Sequence, residues 1–458
     1  MKKLIILYCI SAWVGLGACS VYKSYERPDM PVVDSLYRQA AATSADTTSI
    51  ASLSWRELFT DPKLQALIET GLQNNTDLNI ARLKVTEAEA TLMTSRLAYL
   101  PSISFEPSGT LRSVDGNAMT KSYDIAASAS WEVDIFGKLT NAKRGAKAAL
   151  EQSEAYRQAV QTQLIATIAN SYYSLLMLDA QLDISERTAA NWGENVRAMK
   201  ALKAAGDATE LAVAQSEASK LSVDASIASL RQQIDQMENT LTALLGIAPQ
   251  KIDRTTIGEQ RFPTELAAGV PLQLLQRRPD VRQSEAALAQ AFYATNVARA
   301  AFYPSITLSG SAGWTNSGGA LVTNPGAWLL QAVGSLVQPL FQRGQLMANL
   351  KISKAQQEEA LLAFRQKLLD AGTEVNDALV SYQTSKKKKD NYEQQISALE
   401  KAFSSTTLLM EHGNTTYLEV LTAHQTLLSA QLSQTANRFK EIQSLINLYQ
   451  ALGGGQVL

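Results

Sequence analysis

Tyr123-Asp124-Ile125-Ala126-Ala127-Ser128-Ala129-Ser130-Trp131-Glu132-Val133-Asp134-Ile135 alternates over nearly its whole length. Tyr123, Ile125, Ala127, Ala129, Trp131, Val133 and Ile135 fall on one side of an extended chain, with Asp124, Ser128, Ser130, Glu132 and Asp134 on the other. Successive side chains of a strand point to opposite faces, so this is a strand with one apolar and one polar or acidic face. Segments of about ten such residues, with an aromatic near one end, are the signature of a membrane β-barrel strand. A hairpin at the edge of a soluble domain would alternate in the same way, and the rest of the chain has to discriminate between the two.

Working outward, the preceding stretch pairs Ile103, Phe105, Gly109 and Leu111 against Ser102, Ser104, Glu106, Ser108 and Thr110. In the second half, Ile306, Leu308, Ala312 and Trp314 alternate with Ser305, Thr307, Ser309 and Ser311, while a fourth segment, Ala327 to Leu340, alternates poorly. The connections Val114-Asp115-Gly116-Asn117 and Asn316-Ser317-Gly318-Gly319 are polar and glycine-rich, as exposed turns are. The expected hairpins span 101–136 and 304–341.

The halves repeat one another at an offset of roughly 205 residues. Tyr99-Leu100-Pro101-Ser102-Ile103-Ser104 answers Phe302-Tyr303-Pro304-Ser305-Ile306-Thr307, and Asp134-Ile135-Phe136-Gly137-Lys138 answers Pro339-Leu340-Phe341-Gln342-Arg343-Gly344. Gly206 answers Gly413, and Leu241-Thr242-Ala243-Leu244-Leu245-Gly246 answers Leu448-Tyr449-Gln450-Ala451-Leu452-Gly453. The expected organisation is a leader (1–18), an N-terminal segment (19–62), a first repeat (63–249), a linker (250–278) and a second repeat (279–458).

After each hairpin the period changes to threes and fours. Leu361, Phe364, Leu368, Ala371, Val375, Leu379 and Tyr382 follow it, as do Val223, Ile227, Leu230, Ile234, Met237, Leu241 and Leu244 on a returning helix. Such spacing is coiled-coil packing. Phe136 to Gly206 and Phe341 to Gly413 are nearly equal in length, each worth ~105 Å of helix at ~1.5 Å per residue. Gly206 and Gly413 are therefore the expected helix-hairpin tips. Four strands cannot close a barrel, and their edges cannot be left open to lipid, so the subunit has to oligomerise. A dimer's eight strands would be filled by side chains, whereas a trimer's twelve leave room for a pore. The expected fold class is a mixed α/β membrane protein: a trimeric twelve-stranded β-barrel, four strands per chain, continuous with a long coiled-coil α-helical barrel and internally duplicated.

Lys2 and Lys3 precede an apolar stretch, Leu4 to Leu16, that is too short to span a bilayer and has the form of a signal peptide. It runs into Leu16-Gly17-Ala18-Cys19-Ser20, which resembles a bacterial lipobox and makes Cys19 the candidate lipid attachment site. Cys9 leaves with the leader, so the mature chain would hold one cysteine and no internal disulfide. Lys and Arg number 42 against 43 Asp and Glu, which leaves no field to recruit nucleic acid. With two histidines, no phosphate-cradling loop and no nucleophile elbow, the chain offers no metal site, no cofactor site and no catalytic residues. The lysine run Lys386 to Lys389 suits a solvated helical face.

The chain resembles the outer-membrane efflux family, the TolC-like outer membrane factors, in its lipoprotein branch. The resemblance covers nearly everything after the leader. It rests on Cys19 with Tyr25-Glu26-Arg27-Pro28, on Trp55-Arg56-Glu57-Leu58-Phe59-Thr60-Asp61-Pro62, on Asn75-Thr76-Asp77-Leu78, on Arg277-Arg278-Pro279-Asp280-Val281, and on the paired Tyr-Pro-Ser-Ile and tip-glycine segments. It implies a homotrimer, lipid-anchored in the outer membrane and extending into the periplasm, which receives substrate from an inner-membrane efflux pump through a periplasmic adaptor protein.

Family members close the periplasmic end with acids in a stretch reading roughly D-V-L-D after the second tip. Here it reads Glu419-Val420-Leu421-Thr422. Glu419 keeps the first acid, Thr422 replaces the second, and Thr415 stands where some members carry an arginine. These three are the periplasmic gate candidates, with an ordinary solvated glutamate as the plainer reading of Glu419. Glu106, Asp124, Glu132 and Asp134 are the expected lumen-facing barrel acids, and a cation-leaning pore follows from them. A periplasmic coiled-coil lipoprotein acting as tether or adaptor, and the exit duct of a protein-secretion system, are the alternatives.

Overall fold

A computed structural model describes residues 22–28, 53–113, 115, 119–262, 278–316, 327–412 and 415–454. Cys19, Gly413, the leader and most of the linker lie outside these. The chain falls into two compact units, and each draws on both sequence repeats. Unit 1 is Met1–Met30, Leu83–Ala155 and Arg282–Gln366; unit 2 is Pro31–Arg82, Tyr156–Val281 and Lys367–Leu458.

Unit 1 holds one antiparallel sheet of β1 (Ser102–Phe105), β2 (Ser108–Arg112), β3 (Thr120–Val133), β4 (Ser305–Asn316) and β5 (Ala327–Val337). The order is β1-β3-β4-β5, with β2 also on β3. Ser102 stands opposite Ser130 and Ser108 opposite Asp124, so β1 and β2 keep one register and form a single strand interrupted at Glu106-Pro107. The Glu106 amide still donates to the Ala126 carbonyl at 3.2 Å. Pro107 has no N–H to give and sits on the sheet edge, where that loss is tolerated. The chain therefore contributes the four strands expected.

Eight α-helices accompany these strands among the described residues: α1 (Trp55–Leu58), α2 (Pro62–Asn74), α3 (Thr76–Leu97), α4 (Lys138–Ala205), α5 (Glu210–Leu245), α6 (Pro279–Ala300), α7 (Gln345–Glu411) and α8 (Tyr417–Ala451). α4 and α7 run 68 and 67 residues, nearly matched in length. No helix among the described residues is long and apolar enough to cross a membrane.

The main core of unit 2 gathers Trp55, Leu58, Phe59, Leu64, Ile68, Tyr172, Tyr173, Leu241, Leu245, Ile446 and Tyr449. Each such aliphatic side chain contributes about 1.5–3 kcal/mol by leaving water. The motifs that carried the family resemblance fix this core. Ser54 and Glu57 form a capping box that starts α1, and Asp61 caps α2 with Pro62 in its first turn. Asp61 also accepts from Tyr172 at 2.7 Å and Gln260 at 3.1 Å. Burial alone would raise its carboxyl, but bonds from Thr255, Tyr172, the Lys63 amide and Gln260 outweigh it and hold it below the ordinary carboxylate value.

Asn75 closes α2 and opens α3: its side chain donates to the Leu244 carbonyl at 2.9 Å and accepts from the Leu78 amide at 3.0 Å. α5 ends beside it at Gly246, which takes φ 69°, and a Cβ there would lie 2.9 Å from the Asn74 carbonyl oxygen. Both facts demand glycine. Arg278 is buried and binds Asp280 at 2.8 Å, Glu374 at 2.6 Å and the Ala451 carbonyl at 2.9 Å, tying the start of α6 to α7 and to the end of α8. Lys386 to Lys389 are exposed, as a solvated face requires.

Candidate functional site

The ladder sorts side chains more cleanly than the sequence did. Asp124 stands opposite Thr315, Ser128 opposite Ser311, Ser130 opposite Ser309 and Glu132 opposite Thr307. Ser102 and Ser104 extend this row on one side, and Gln331 and Ser335 on the other. That face is polar. The opposite face carries Ile103, Phe105, Ile125, Ala127, Trp131, Leu308, Ala312, Trp314, Trp328, Leu330 and Leu336. The weakly alternating fourth segment now has its reason: β5 is largely apolar on both faces, and pairing with β4 alone decides which residues go where.

The apolar face is bare, with Leu330 86 % and Trp328 78 % exposed. An exposed apolar surface of this extent marks contact with lipid or protein. Its aromatics lie at two levels. Trp131 stands opposite Leu308 and donates its indole N–H to the Tyr99 carbonyl at 2.9 Å, while Phe136 stacks on Tyr303 nearby in sequence, centroids 4.9 Å apart. Trp314 meets Trp328 six residues further along β4, at 5.0 Å. Six residues of strand are ~20 Å, close to the ~25 Å apolar band between the aromatic girdles of membrane barrels.

Of the expected barrel acids, Asp124 and Glu132 lie on the polar face. Asp124 accepts from the Thr315 hydroxyl, and Glu132 pairs with Lys138 at 2.9 Å. Glu106 falls at the interruption between β1 and β2, on the same alternation as Ser104 and Ser108. Asp134, two residues on from Glu132, is engaged differently. It stands beyond the end of β3 and accepts from the Leu139 amide at 3.0 Å and the Thr140 amide at 2.7 Å, capping α4. A carboxylate placed just before a long helix has this use available, and alternation alone does not reveal it.

The strand-to-helix junction also receives the described N-terminal residues. The Tyr22 ring lies 3.6 Å from where a Cβ on Gly137 would be, Tyr25 meets Phe292 edge-on at 5.8 Å, and Arg27 pairs with Glu285 at 3.5 Å. Burial is the main cause that pushes the Tyr25 phenol up to about 12, with Glu285 adding to it.

In unit 2, Gly206 turns α4 into α5 with φ 90° and nothing near its absent Cβ. Lys203 pairs with Glu210 across this turn. Glu419 lies exposed in the first turn of α8 and accepts a hydrogen bond from Thr415, which unites two of the three gate candidates. The Thr422 hydroxyl is spent on the Leu418 carbonyl at 2.8 Å. Sequence reading missed Tyr417 and His424. The Tyr417 hydroxyl binds Asn195 of α4 at 2.8 Å and Ser216 of α5 at 2.5 Å, and His424 stacks between Trp192 and Phe403. The signal was present as the spacing Tyr417, Leu421, His424, Leu428 on one face of α8. Among the described residues no cluster of His, Cys, Asp and Glu could hold a metal ion.

A two-faced antiparallel sheet with aromatic levels, joined to helices of nearly seventy residues, defines a channel-forming outer-membrane protein. The outer membrane efflux protein family model matches residues 67–247 and 270–454. The cation efflux system protein CusC of Escherichia coli O6:H1 is 30 % identical over 456 residues, covering 98 % of each chain. A probable outer membrane lipoprotein, SilC of Salmonella typhimurium, is 28 % identical over the full length of both. A crystal structure of CusC superposes with a TM-score of 0.86 at 29 % identity, covering 95 % of this chain and 100 % of that one. The chain belongs to the outer membrane efflux protein family and is an outer-membrane channel component of an efflux system, and the fold class expected from its sequence is borne out.

Proposed function

We propose that three copies of this chain close a twelve-stranded barrel in the outer membrane, with β5 of each copy pairing with the β1–β2 strand of the next. The observation that carries this is the two-faced sheet with its two edges. Lipid cannot satisfy open strand edges, and a barrel closed from four-stranded contributions needs at least two copies to reach eight strands. Eight strands fill their own interior, whereas twelve leave a lumen. The apolar face then meets lipid, and Asp124, Glu132 and Glu106 line the water-filled side.

The helices continue this lumen as a duct that receives substrate from an inner-membrane pump through a periplasmic adaptor and passes it outward passively, with no catalytic step. Three copies of Glu419 gathered about the three-fold axis form a ring that favours cations at the periplasmic end. A lipid on Cys19 fits this arrangement. Three residues on in sequence, Tyr22 packs beside Gly137 at the strand-to-helix junction. Mass measurement of the detergent-extracted particle tests the assembly: three times the chain mass, with a form that shifts on gels after boiling, is expected. A stable monomer or dimer contradicts it.

A further inference from the structure

Resting on the reading of the chain as a gated duct, we infer that the face of α8 made by Tyr417, Leu421, His424 and Leu428 is an acid-released latch. It holds the helix that carries Glu419 against α4, α5 and α7 of its own subunit.

The main core of unit 2 is sealed by two dozen buried apolar residues, but this seam is built differently. Its buried members are Trp192, Val223 and Leu421, flanked by Ala189, Ile227, Tyr417 and Leu428. A core so small leaves the docking of α8 to a few specific contacts, the low-stability end of a fold from which moving elements are drawn. One contact is the hydroxyl of Tyr417, which joins three helices by donating to Asn195 on α4 and accepting from Ser216 on α5. The other, two helical turns on, is the imidazole of His424. It lies between Trp192 of α4, at 4.8 Å and 30°, and Phe403 of α7, at 4.7 Å and 26°. Gln425 adds a bond to Ser219 of α5 at 3.4 Å.

A neutral imidazole suits so buried a site, and a charged one does not. His424 is 8 % exposed. The cleft beside it, about 210 Å³, is lined by Ile184, Thr188, Asn191, Leu427 and one charged residue, Arg187 of α4. Arg187 is itself paired with Asp183. On α5 the charged neighbours Lys220 and Asp224 pair with each other at 2.6 Å, and α7 presents the apolar Phe403. No carboxylate in this set is left over for an imidazolium. Burial lowers the imidazole below its ordinary value of 6.5.

The sign follows. A group whose docked pKa is depressed favours docking above its undocked pKa, and that contribution is lost as pH falls through the docked one. Docking therefore weakens from about pH 6.5 downward, by up to tenfold per pH unit for each latch. Release frees the first turn of α8, and Glu419 and Thr415 with it.

Single-channel recording of the purified full-length protein between pH 7.5 and 5, beside His424→Phe, His424→Gln and Tyr417→Phe, is the test. Expected are an open probability in the wild type that rises below pH 6.5, a flat response in both His424 variants, and a raised open probability at every pH in Tyr417→Phe with the acid response kept. An acid response of the same size in both His424 variants, or none in the wild type, overturns the latch. If no form conducts, the duct reading fails instead, and imidazole NMR of the two histidines decides the latch alone. A His424 resonance titrating at the ordinary histidine value overturns it; one titrating lower, and returning to the ordinary value in Trp192→Ala, upholds it.

Discussion

Trp314 and Trp328 stand directly opposite one another on neighbouring strands, their ring centroids 5.0 Å apart, on the face of the sheet that also carries Trp131. Amphipathic indoles settle at membrane interfaces, so two tryptophan levels ~20 Å apart bracket the lipid-facing band. Between them Ala312 lies on the apolar face, and its neighbour Ser311 lies on the polar one. Ala312→Arg puts a charge near the bilayer midplane, at a cost of about 2–4 kcal/mol. It is expected to reduce the boil-sensitive form in outer-membrane fractions sharply. Ser311→Arg, one residue away, is expected to assemble normally and to shift ion selectivity toward anions.

Asp134 caps α4 through two amides, so Asp134→Ala removes a helix cap. The expected loss is about 0.5–2 kcal/mol, with Asp134→Asn recovering most of it. Thermal unfolding in detergent measures it, and ion selectivity should be unchanged. Neutralising Glu132 or Asp124, by contrast, should lower cation preference with little effect on stability.

Arg278 sits buried with Asp280, Glu374 and the Ala451 carbonyl. Its desolvation is offset by these partners, and the charged form is held. Arg278→Ala leaves Asp280 partly buried without that partner, a change that costs about 3–5 kcal/mol when a buried pair is broken. Arg278→Lys loses the forked geometry and should fall between. Yield of assembled protein at 37 °C and the unfolding midpoint are the readouts.

The fold was largely legible because its elements differ in period. β3 alternates so strictly that its two faces are readable from the sequence alone, and the long 3-4 runs on α7 and α5 place their buried faces at Phe364, Leu368, Val375 and Leu241 as found. β5 was the hard segment, since residues apolar on both faces carry no alternation, and only cross-strand pairing assigns Gln331 and Ser335 to the polar side. Site residues were less legible. Asp134 reads as one more member of an alternating strand, yet the helix that begins four residues later claims its carboxylate. Tyr417 and His424 carry no motif, because their roles depend on Asn195, Ser216, Trp192 and Phe403, which only tertiary packing brings to them.

The central claim is that copies of this chain enclose a water-filled path, and single-channel current across a planar bilayer tests it most directly. The purified wild-type protein is expected to give discrete conductance steps with cation preference. Glu419→Ala should reduce that preference and change the gating while the particle keeps its mass. Well-folded protein that inserts and carries no current in either form would contradict the account.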